Sequence, residues 1–118
     1  MDTLPLPNYS YRAQVIKIVD ADTIDVLLDV GFGTTIRKRL RFLDIDAYEQ
    51  RGEERELGLK ATARLTELLD TAQIVVQTVM DAEGKYGRVL AYVWAIDNEG
   101  NATNLNYKLL EEGHAVAY

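Results

Sequence analysis

The first third of the chain alternates between apolar and polar residues with the period of two that is typical of β-strands. The alternation is clearest in Thr23–Val30 and returns in Thr34–Leu43, and the segment between them has the length and glycines of a hairpin turn. Tyr9–Val19 matches less well but is also predicted as a strand, followed by a turn at residues 20–22. The pattern therefore predicts three consecutive strands.

The middle of the chain changes to the three- and four-residue spacing of an amphipathic helix. The predicted helix covers Gly52–Asp70, and the residues expected to form its apolar stripe are Leu57, Ala61, Leu65, Leu68 and Leu69. Gln73–Met80 and Arg88–Ile96 predict two further strands, joined by a polar loop at residues 81–87. On the second of these strands we expect Trp94 to lie in the core.

Asn104–Glu112 predicts a short second helix, with Thr103 or Asn104 as the N-cap and Gly113 as the C-cap glycine. The element order is then three strands, a helix, two strands and a helix, which is the pattern of a five-stranded OB barrel. The expected fold class is α+β, mainly β: a five-stranded OB-fold barrel with two helices, the first between strands 3 and 4. A length of 118 residues predicts a single domain over residues 1–118, with residues 1–8 as a loosely ordered N-terminal arm.

Composition limits the chemistry that the chain can carry. It has no cysteine and one histidine, which excludes disulfides and thiolate metal sites and leaves few parts for a histidine-based hydrolase. The start does not have the basic and apolar segments of a signal peptide, and no stretch has the length and apolarity of a membrane span. We therefore expect no membrane partner, and no obligate protein partner is evident from the sequence. The protein is expected to be cytoplasmic if Met1 is the native start, and secreted if the chain is a processed form.

The net charge of -6 at pH 7 argues against a nucleic-acid-binding protein, because phosphate contacts normally require a basic surface. An acidic chain can still bind phosphates if its cations are gathered on one face. The strand predicted at Thr34–Leu43 gathers three of them, since Arg37, Arg39 and Arg41 are spaced two residues apart. This spacing makes Arg39 a candidate for substrate contact.

Four carboxylates and two arginines have the chemistry that phosphodiester hydrolysis needs. The carboxylates are Asp20, Asp22, Asp46 and Glu49, and the arginines are Arg41 and Arg88. Carboxylates can hold a hard cation and can deprotonate a water molecule, while the planar fork of an arginine can hold two phosphate oxygens at once. These residue types do not by themselves show that the groups meet in space, because aspartates are also common in turns.

Four segments resemble motifs of the staphylococcal nuclease family, in the family's order and near its spacing. Residues 19–23, Val-Asp-Ala-Asp-Thr, are similar to V-D-G-D-T, and residues 41–49 are similar to R-L-x-x-I-D-x-P-E. Residues 85–92 are similar to K-Y-G-R-x-L-A-Y, and residues 105–115 are similar to V-N-x(6)-G-x-A. The resemblance runs from about Tyr11 to the end of the chain and supports the OB barrel.

The resemblance implies a calcium-dependent nuclease that hydrolyses the phosphodiester bonds of DNA and RNA and leaves 3′-phosphate ends. One Ca²⁺ ion would be bound by the carboxylates of Asp22 and Asp46 and by the backbone carbonyl of Ala47. Asp20 would lie behind these ligands without contacting the ion.

The same resemblance implies roles for the remaining matching residues. Arg41 and Arg88 would hold the phosphate and stabilise the transition state, and Glu49 would be the general base or would position the attacking water. The substrate-binding residues implied by the family are Lys85 and Tyr86 on a neighbouring phosphate and Tyr118 against a base.

The chain departs from the family pattern at several positions. Ala21 replaces a glycine, which would strain the turn if a positive φ is needed there. Tyr48 replaces the proline before Glu49, so the segment that carries the base is expected to be less rigidly pre-set. The chain is also expected to lack the family's last helix, because it stops at Tyr118.

Two other functions remain open from the sequence. The first is a catalytically weak or inactive nuclease-like domain that binds nucleic acid or protein, which the acidic net charge favours. The second is a calcium-binding structural domain, which Arg41 and Arg88 argue against because phosphate-holding cations have no part in a calcium clip.

Overall fold

The computed structural model describes residues 9–70, 73–83 and 89–118. Eight strands and two helices follow one another in these ranges. They are β1 Ser10–Asp20, β2 Thr23–Asp29, β3 Thr35–Phe42, β4 Ile45–Ala47, α1 Arg55–Leu69, β5 Gln73–Glu83, β6 Val89–Ile96, β7 Ala102–Asn104, α2 Leu105–Glu111 and β8 Ala115–Ala117. A 3-10 turn, Gly52–Glu54, leads directly into α1.

Five of these strands close into a barrel. The main sheet has the order β3-β2-β1-β5-β6, with β7 at its end, and a further pairing joins β3 to β6. That last pairing is parallel and brings Leu40–Phe42 against Val89–Ala91, whereas the other neighbours in the sheet are antiparallel. Closure removes the free edges that an open sheet would expose. The expected mainly β, five-stranded OB-fold barrel with two helices is therefore confirmed.

The core fills the barrel and extends under both helices. Its fully buried large side chains are Ile24, Val26, Leu40, Phe42, Ile45, Leu65, Val76, Val93, Leu105 and Leu109. The alternation predicted for β2 is confirmed on its inner face, where Ile24, Val26 and Leu28 are buried. Burial of this contiguous apolar set is the dominant favourable contribution to folding.

The apolar face was wrongly predicted at two places. On β6 the small residues Ala91, Val93 and Ala95 face the core, and Trp94 is only half-buried, because a strand that is apolar on both faces does not reveal its inner side. Leu57 of α1 is 46% exposed, and Gly58 is buried in its place. The first half of β3 is exposed, including Ile36, because only Leu40–Phe42 pairs with β6.

Three short strands were not predicted from the sequence, because a strand of only three residues is too short to show periodicity. β4 and β8 form a two-stranded sheet in which Asp46 lies opposite Val116, and β7 extends the main sheet beside β6. The polar loop expected at residues 81–87 begins later than predicted, since β5 continues through Glu83. The β4–β8 pairing determines where the segment after β3 lies.

The ends of α2 agree with the prediction. The side chain of Asn104 accepts a hydrogen bond of 3.3 Å from the backbone N–H of Tyr107, and Gly113 has a φ of +80° just after the helix. Within the ranges that the structure describes, neither helix has the length and apolarity needed to cross a membrane.

Candidate active site

A polar cavity of about 260 Å³ lies where the β1–β2 turn meets β3 and β4. Its lining residues are Asp20, Asp22, Thr23, Arg41, Asp46, Ala47, Tyr48 and Glu49. The barrel brings them together because Thr23 pairs directly with Arg41 across β2 and β3. Six residues predicted to form the site therefore share one cavity, although they come from two separate parts of the sequence. Their roles remain predictions.

Asp22 is the most enclosed carboxylate of this cavity, with 8% of its surface exposed. Its Oδ2 atom accepts a hydrogen bond of 2.9 Å from the backbone N–H of Ala47, and its Oδ1 atom accepts one of 2.9 Å from the Thr23 hydroxyl. The Nη1 atom of Arg41 lies 3.6 Å from Oδ2. These contacts orient the carboxylate and tie it to β4.

Arg41 is held by the backbone as well as by charge. Its Nη1 atom donates hydrogen bonds of 2.8 Å to the carbonyls of Phe42 and Ile45, and its Nη2 atom lies 3.6 Å from Oδ1 of Asp46. The guanidinium carbon lies 5.5 Å from the centre of the Tyr118 ring. The side chain is 13% exposed, so its guanidinium is fixed at the wall of the cavity.

Asp46 and Glu49 occupy the open side of the cavity, where both residues are exposed. Asp20 is half-buried, and its Oδ1 atom accepts a hydrogen bond of 2.8 Å from the side-chain amide of Gln50. The cavity therefore combines four carboxylates with one arginine, and this excess of negative charge suits a hard cation.

Ala21 does not strain the turn between Asp20 and Asp22. Among the described residues other than glycine, only Phe32 and Asp44 have a positive φ, and Ala21 is fully buried in the core. The turn therefore does not need glycine, and the strain considered from the sequence is absent.

Arg39 does not line this cavity. Its Nε and Nη2 atoms donate hydrogen bonds of 2.7 and 3.1 Å to the two carboxylate oxygens of Asp25, which is 3% exposed. The Arg39 guanidinium, assisted by Arg37, holds the pKa of Asp25 below its usual range. Substrate contact by Arg39 stays a prediction, and the guanidinium already has a structural partner.

Three further residues of the predicted site cannot be placed. Lys85, Tyr86 and Arg88 lie outside the described residues. Their assignment to the substrate and to catalysis stays an inference from the family resemblance.

The cavity fits a calcium ion in its donor chemistry. The side-chain atoms of the cavity that can coordinate a metal ion are all oxygens. The carboxylate of Asp22 has about four acceptor positions, and hydrogen bonds from Ala47 and Thr23 use two of them. Within the described ranges no three histidine, cysteine, aspartate or glutamate side chains form a metal-binding group. A bound ion would therefore need water or substrate oxygens to complete its coordination.

The sequence did not reveal several residues that hold the site in place. Gly58 lies against the backbone of Glu49, and the side chain of Gln50 donates a hydrogen bond to the carbonyl of Val19 on β1. Asn106 is fully buried, where its side-chain oxygen accepts from Val93 N–H and its amide donates to the carbonyls of Leu43 and Ala91. A lone asparagine on an apolar helix face was the available signal.

A second supporting group lies just before β4. Asp44 has a φ of +67°, and its Oδ2 atom accepts hydrogen bonds of 2.6 Å from the hydroxyls of Tyr92 and Tyr107. These bonds lower the pKa of Asp44, and the bond to Asp44 raises the pKa of Tyr92. The carbonyl of Asp44 also accepts a hydrogen bond from Tyr118 N–H, which places Tyr118 beside Arg41.

The barrel and its acidic cavity define an OB-fold domain with a polar site at the junction of β1, β2, β3 and β4. The family model described as staphylococcal nuclease homologue matches residues 39–118, and the chain belongs to this family.

The chain is also similar to three individual proteins. The chain is 38% identical over 112 residues to the micrococcal nuclease of Shigella flexneri and 32% identical over 111 residues to protein ParB of Escherichia coli. An uncharacterized protein of Methanocaldococcus jannaschii is 30% identical over 129 residues. The matches cover 92%, 91% and 92% of this chain but only 59%, 57% and 59% of the relatives. The chain therefore spans little more than half the length of these proteins.

Proposed function

We propose that this chain is a nuclease domain that hydrolyses phosphodiester bonds of DNA and RNA with the help of a calcium ion. The observation that carries the proposal is the single cavity that brings Arg41 together with Asp22, Asp46 and Glu49. Membership of the staphylococcal nuclease family supports it, as does the similarity to a protein named micrococcal nuclease.

Arg41 would hold the scissile phosphate. Its Nη1 hydrogens are directed at two backbone carbonyls, so its Nε and Nη2 edge is the part that a phosphate would meet. Because the planar guanidinium is already held in position, little free energy is needed to reorganise it during the reaction. It can therefore stabilise the negative charge that grows on the phosphate oxygens during attack. Arg88 would supply a second fork, as the family resemblance implies.

The carboxylates of Asp22 and Asp46 and the carbonyl of Ala47 would hold the calcium ion, with Asp20 behind them. When bound, the ion would lower the pKa of a water molecule and offset the negative charge of the phosphate. Asp22 is already oriented for this role by its bonds to Ala47 and Thr23.

Glu49 would accept a proton from the attacking water. Oxygen of that water would form a bond to phosphorus while the bond from phosphorus to O5′ breaks. The departing O5′ would take up a proton from solvent water, so the products would be a 3′-phosphate and a 5′-hydroxyl. Glu49 suits this step because it lies at the open side of the cavity, where water and substrate enter.

The test is digestion of single-stranded DNA and RNA in millimolar calcium, repeated with a chelator. We expect cutting that requires the metal and is lost in Arg41→Ala. Arg12→Ala is the matched control, because Arg12 is exposed on β1, roughly 25 Å along the strand from Asp20. Labelling of the product ends distinguishes 3′-phosphates from 5′-phosphates, and 5′-phosphates would contradict the proposed step.

Two conservative variants refine the assignment. Arg41→Lys should lose most activity while the protein stays folded, because a point charge cannot replace the fork. Glu49→Gln should lower kcat far more than calcium affinity, and a calcium titration that shows the reverse would make Glu49 mainly a ligand.

A second candidate function is binding of nucleic acid or protein without cutting. It is favoured by the net charge of -6 and by Asp25, which pairs with Arg37 and Arg39 of β3 and so leaves these two cations less available to phosphates. A folded protein that retains nucleic acid in a binding assay but cuts neither DNA nor RNA in any divalent metal would establish this alternative.

A further inference from the structure

We propose that Gln50 and Gly58 are positioning residues that hold the Glu49 segment against the barrel and against α1. This inference rests on the proposed function, in which Glu49 acts on the attacking water. The side chain of Glu49 is exposed, so its position depends on how firmly its own backbone is held.

Gly58 holds the segment from the side of α1. It is buried in the helix, and a Cβ atom built on it would overlap the carbonyl oxygen and carbon of Glu49 and would lie 2.7 Å from the backbone nitrogen of Gln50. Alanine is otherwise the better residue inside a helix. The absence of a side chain therefore lets α1 touch the backbone of Glu49 directly.

Gln50 holds the segment from the side of β1. Its Nε2 atom donates hydrogen bonds of 2.9 Å to the carbonyl of Val19 and of 2.8 Å to Oδ1 of Asp20. Both partners are acceptors, so only a group with two hydrogens can satisfy them together. The side chain therefore joins the residue after Glu49 to the strand end that carries Asp20.

The two contacts act on neighbouring peptide units. One restrains the carbonyl of Glu49 and the other the residue that follows it, and together they compensate for Tyr48, which does not restrict φ as a proline would. A shift of about 1 Å in a catalytic group can cost on the order of 100-fold in rate, so this restraint bears directly on turnover.

The first test is Gln50→Glu, which keeps the size of the side chain but removes the donor and places a charge beside Asp20. Gln14→Glu is the matched control, because Gln14 is exposed on β1 and undergoes the same charge change. We expect kcat, measured at saturating calcium, to fall about 10- to 100-fold in Gln50→Glu while KM changes by less than about threefold. The control should retain wild-type kcat.

The second test does not depend on activity. Trypsin cleavage after Arg51, which is exposed next to Gln50, should become at least about tenfold faster in Gln50→Glu, while cleavage after Lys17 of β1 stays unchanged. Gly58→Ala should show the same pattern, with Lys60→Ala as the control on the exposed face of α1. If Gly58→Ala does not fold, the result for Gln50→Glu alone decides whether the Glu49 segment is restrained.

The outcomes separate the two proposals. Unchanged cleavage after Arg51, or a kcat like that of Gln14→Glu, would overturn the positioning role. An equal rise in cleavage throughout the barrel would also overturn it, because it would indicate general destabilisation. If the wild-type protein cuts no substrate, the proposed nuclease function fails, and the proteolysis measurement then decides whether Gln50 and Gly58 restrain the segment.

Discussion

The Asp22 carboxylate accepts a hydrogen bond of 2.9 Å from the backbone N–H of Ala47, which is 25 positions further along the chain. The bond joins the turn between β1 and β2 to the end of β4, and both residues are buried. It therefore links two groups that are proposed to bind the same calcium ion, and it orients one before the ion arrives.

This bond predicts different effects for two substitutions of Asp22. Asp22→Asn keeps an oxygen that can accept from Ala47, so stability should change by less than about 1 kcal/mol, but calcium affinity should fall at least about tenfold. Asp22→Ala should also destabilise the fold by about 1–3 kcal/mol, because the buried N–H loses its acceptor. Calorimetry with calcium and thermal unfolding measure the two effects, with Asp29→Asn as the control. Wild-type calcium affinity in Asp22→Asn would contradict the ligand assignment.

The ring of Tyr118 beside Arg41 predicts a role in substrate binding. The ring is largely exposed and contacts the guanidinium, so a base could stack on it next to the held phosphate. Tyr118→Ala should raise KM for oligonucleotides about three- to tenfold with little change in kcat, whereas Tyr118→Phe should behave like the wild type. Phe32→Ala, at the exposed tip of the β2–β3 hairpin, is the control. A loss of kcat with unchanged KM would mean that Tyr118 acts through Arg41 instead.

Arg39 offers a test of the substrate contact expected from its spacing. Because the guanidinium is bonded to buried Asp25 through two hydrogen bonds, Arg39→Ala should lower the melting temperature by a few degrees at pH 7. Its activity should stay within about twofold of the wild type. Arg37→Ala should have a smaller effect on melting, since Arg37 makes one contact of 3.5 Å. Unchanged melting with a tenfold loss of activity would instead place Arg39 on the substrate.

The barrel could be predicted from sequence because its signals are local. Periodicity identified β2, β3 and α1, and the order of elements indicated how they combine. Asp20, Asp22, Asp46 and Glu49 could be predicted as a group only through the family resemblance, because their meeting depends on the pairing of β2 with β3. No local pattern predicts such a contact.

The supporting residues could not be predicted for a related reason. In the sequence, Gly58 is a glycine that would weaken a helix, and its contact with the backbone of Glu49 is visible only in the structure. Gln50 has the sequence features of an ordinary loop residue, and its bond to Val19 is equally hidden. Asp25 reads as a solvent-facing position of an alternating strand, yet it is buried because two arginines cover it. In each case the partner lies at least nine positions away.

Glu112 predicts how stability depends on pH. Arg64 of α1 donates hydrogen bonds of 2.6 and 2.8 Å to its carboxylate, Lys108 lies 3.4 Å away and His114 lies 3.9 Å away. Arg64 first and Lys108 second lower the pKa of Glu112 to about 2. An unfolded glutamate titrates near pH 4.3. Because the folded pKa is the lower one, the pairing contributes fully above about pH 5 and is lost as the pH falls towards 2.

Glu112→Gln should therefore melt a few degrees below the wild type at pH 7. The difference should shrink steadily between about pH 5 and pH 2, because protonation removes the same charge from the wild type. Glu111→Gln is the matched control, since Glu111 is the exposed neighbour on the same helix, and it should melt like the wild type throughout. If the difference in melting temperature stayed constant down to pH 2, the charge of Glu112 would not be what stabilises the contact between α1 and α2. Side-chain shape or neutral hydrogen bonding would then account for the contact.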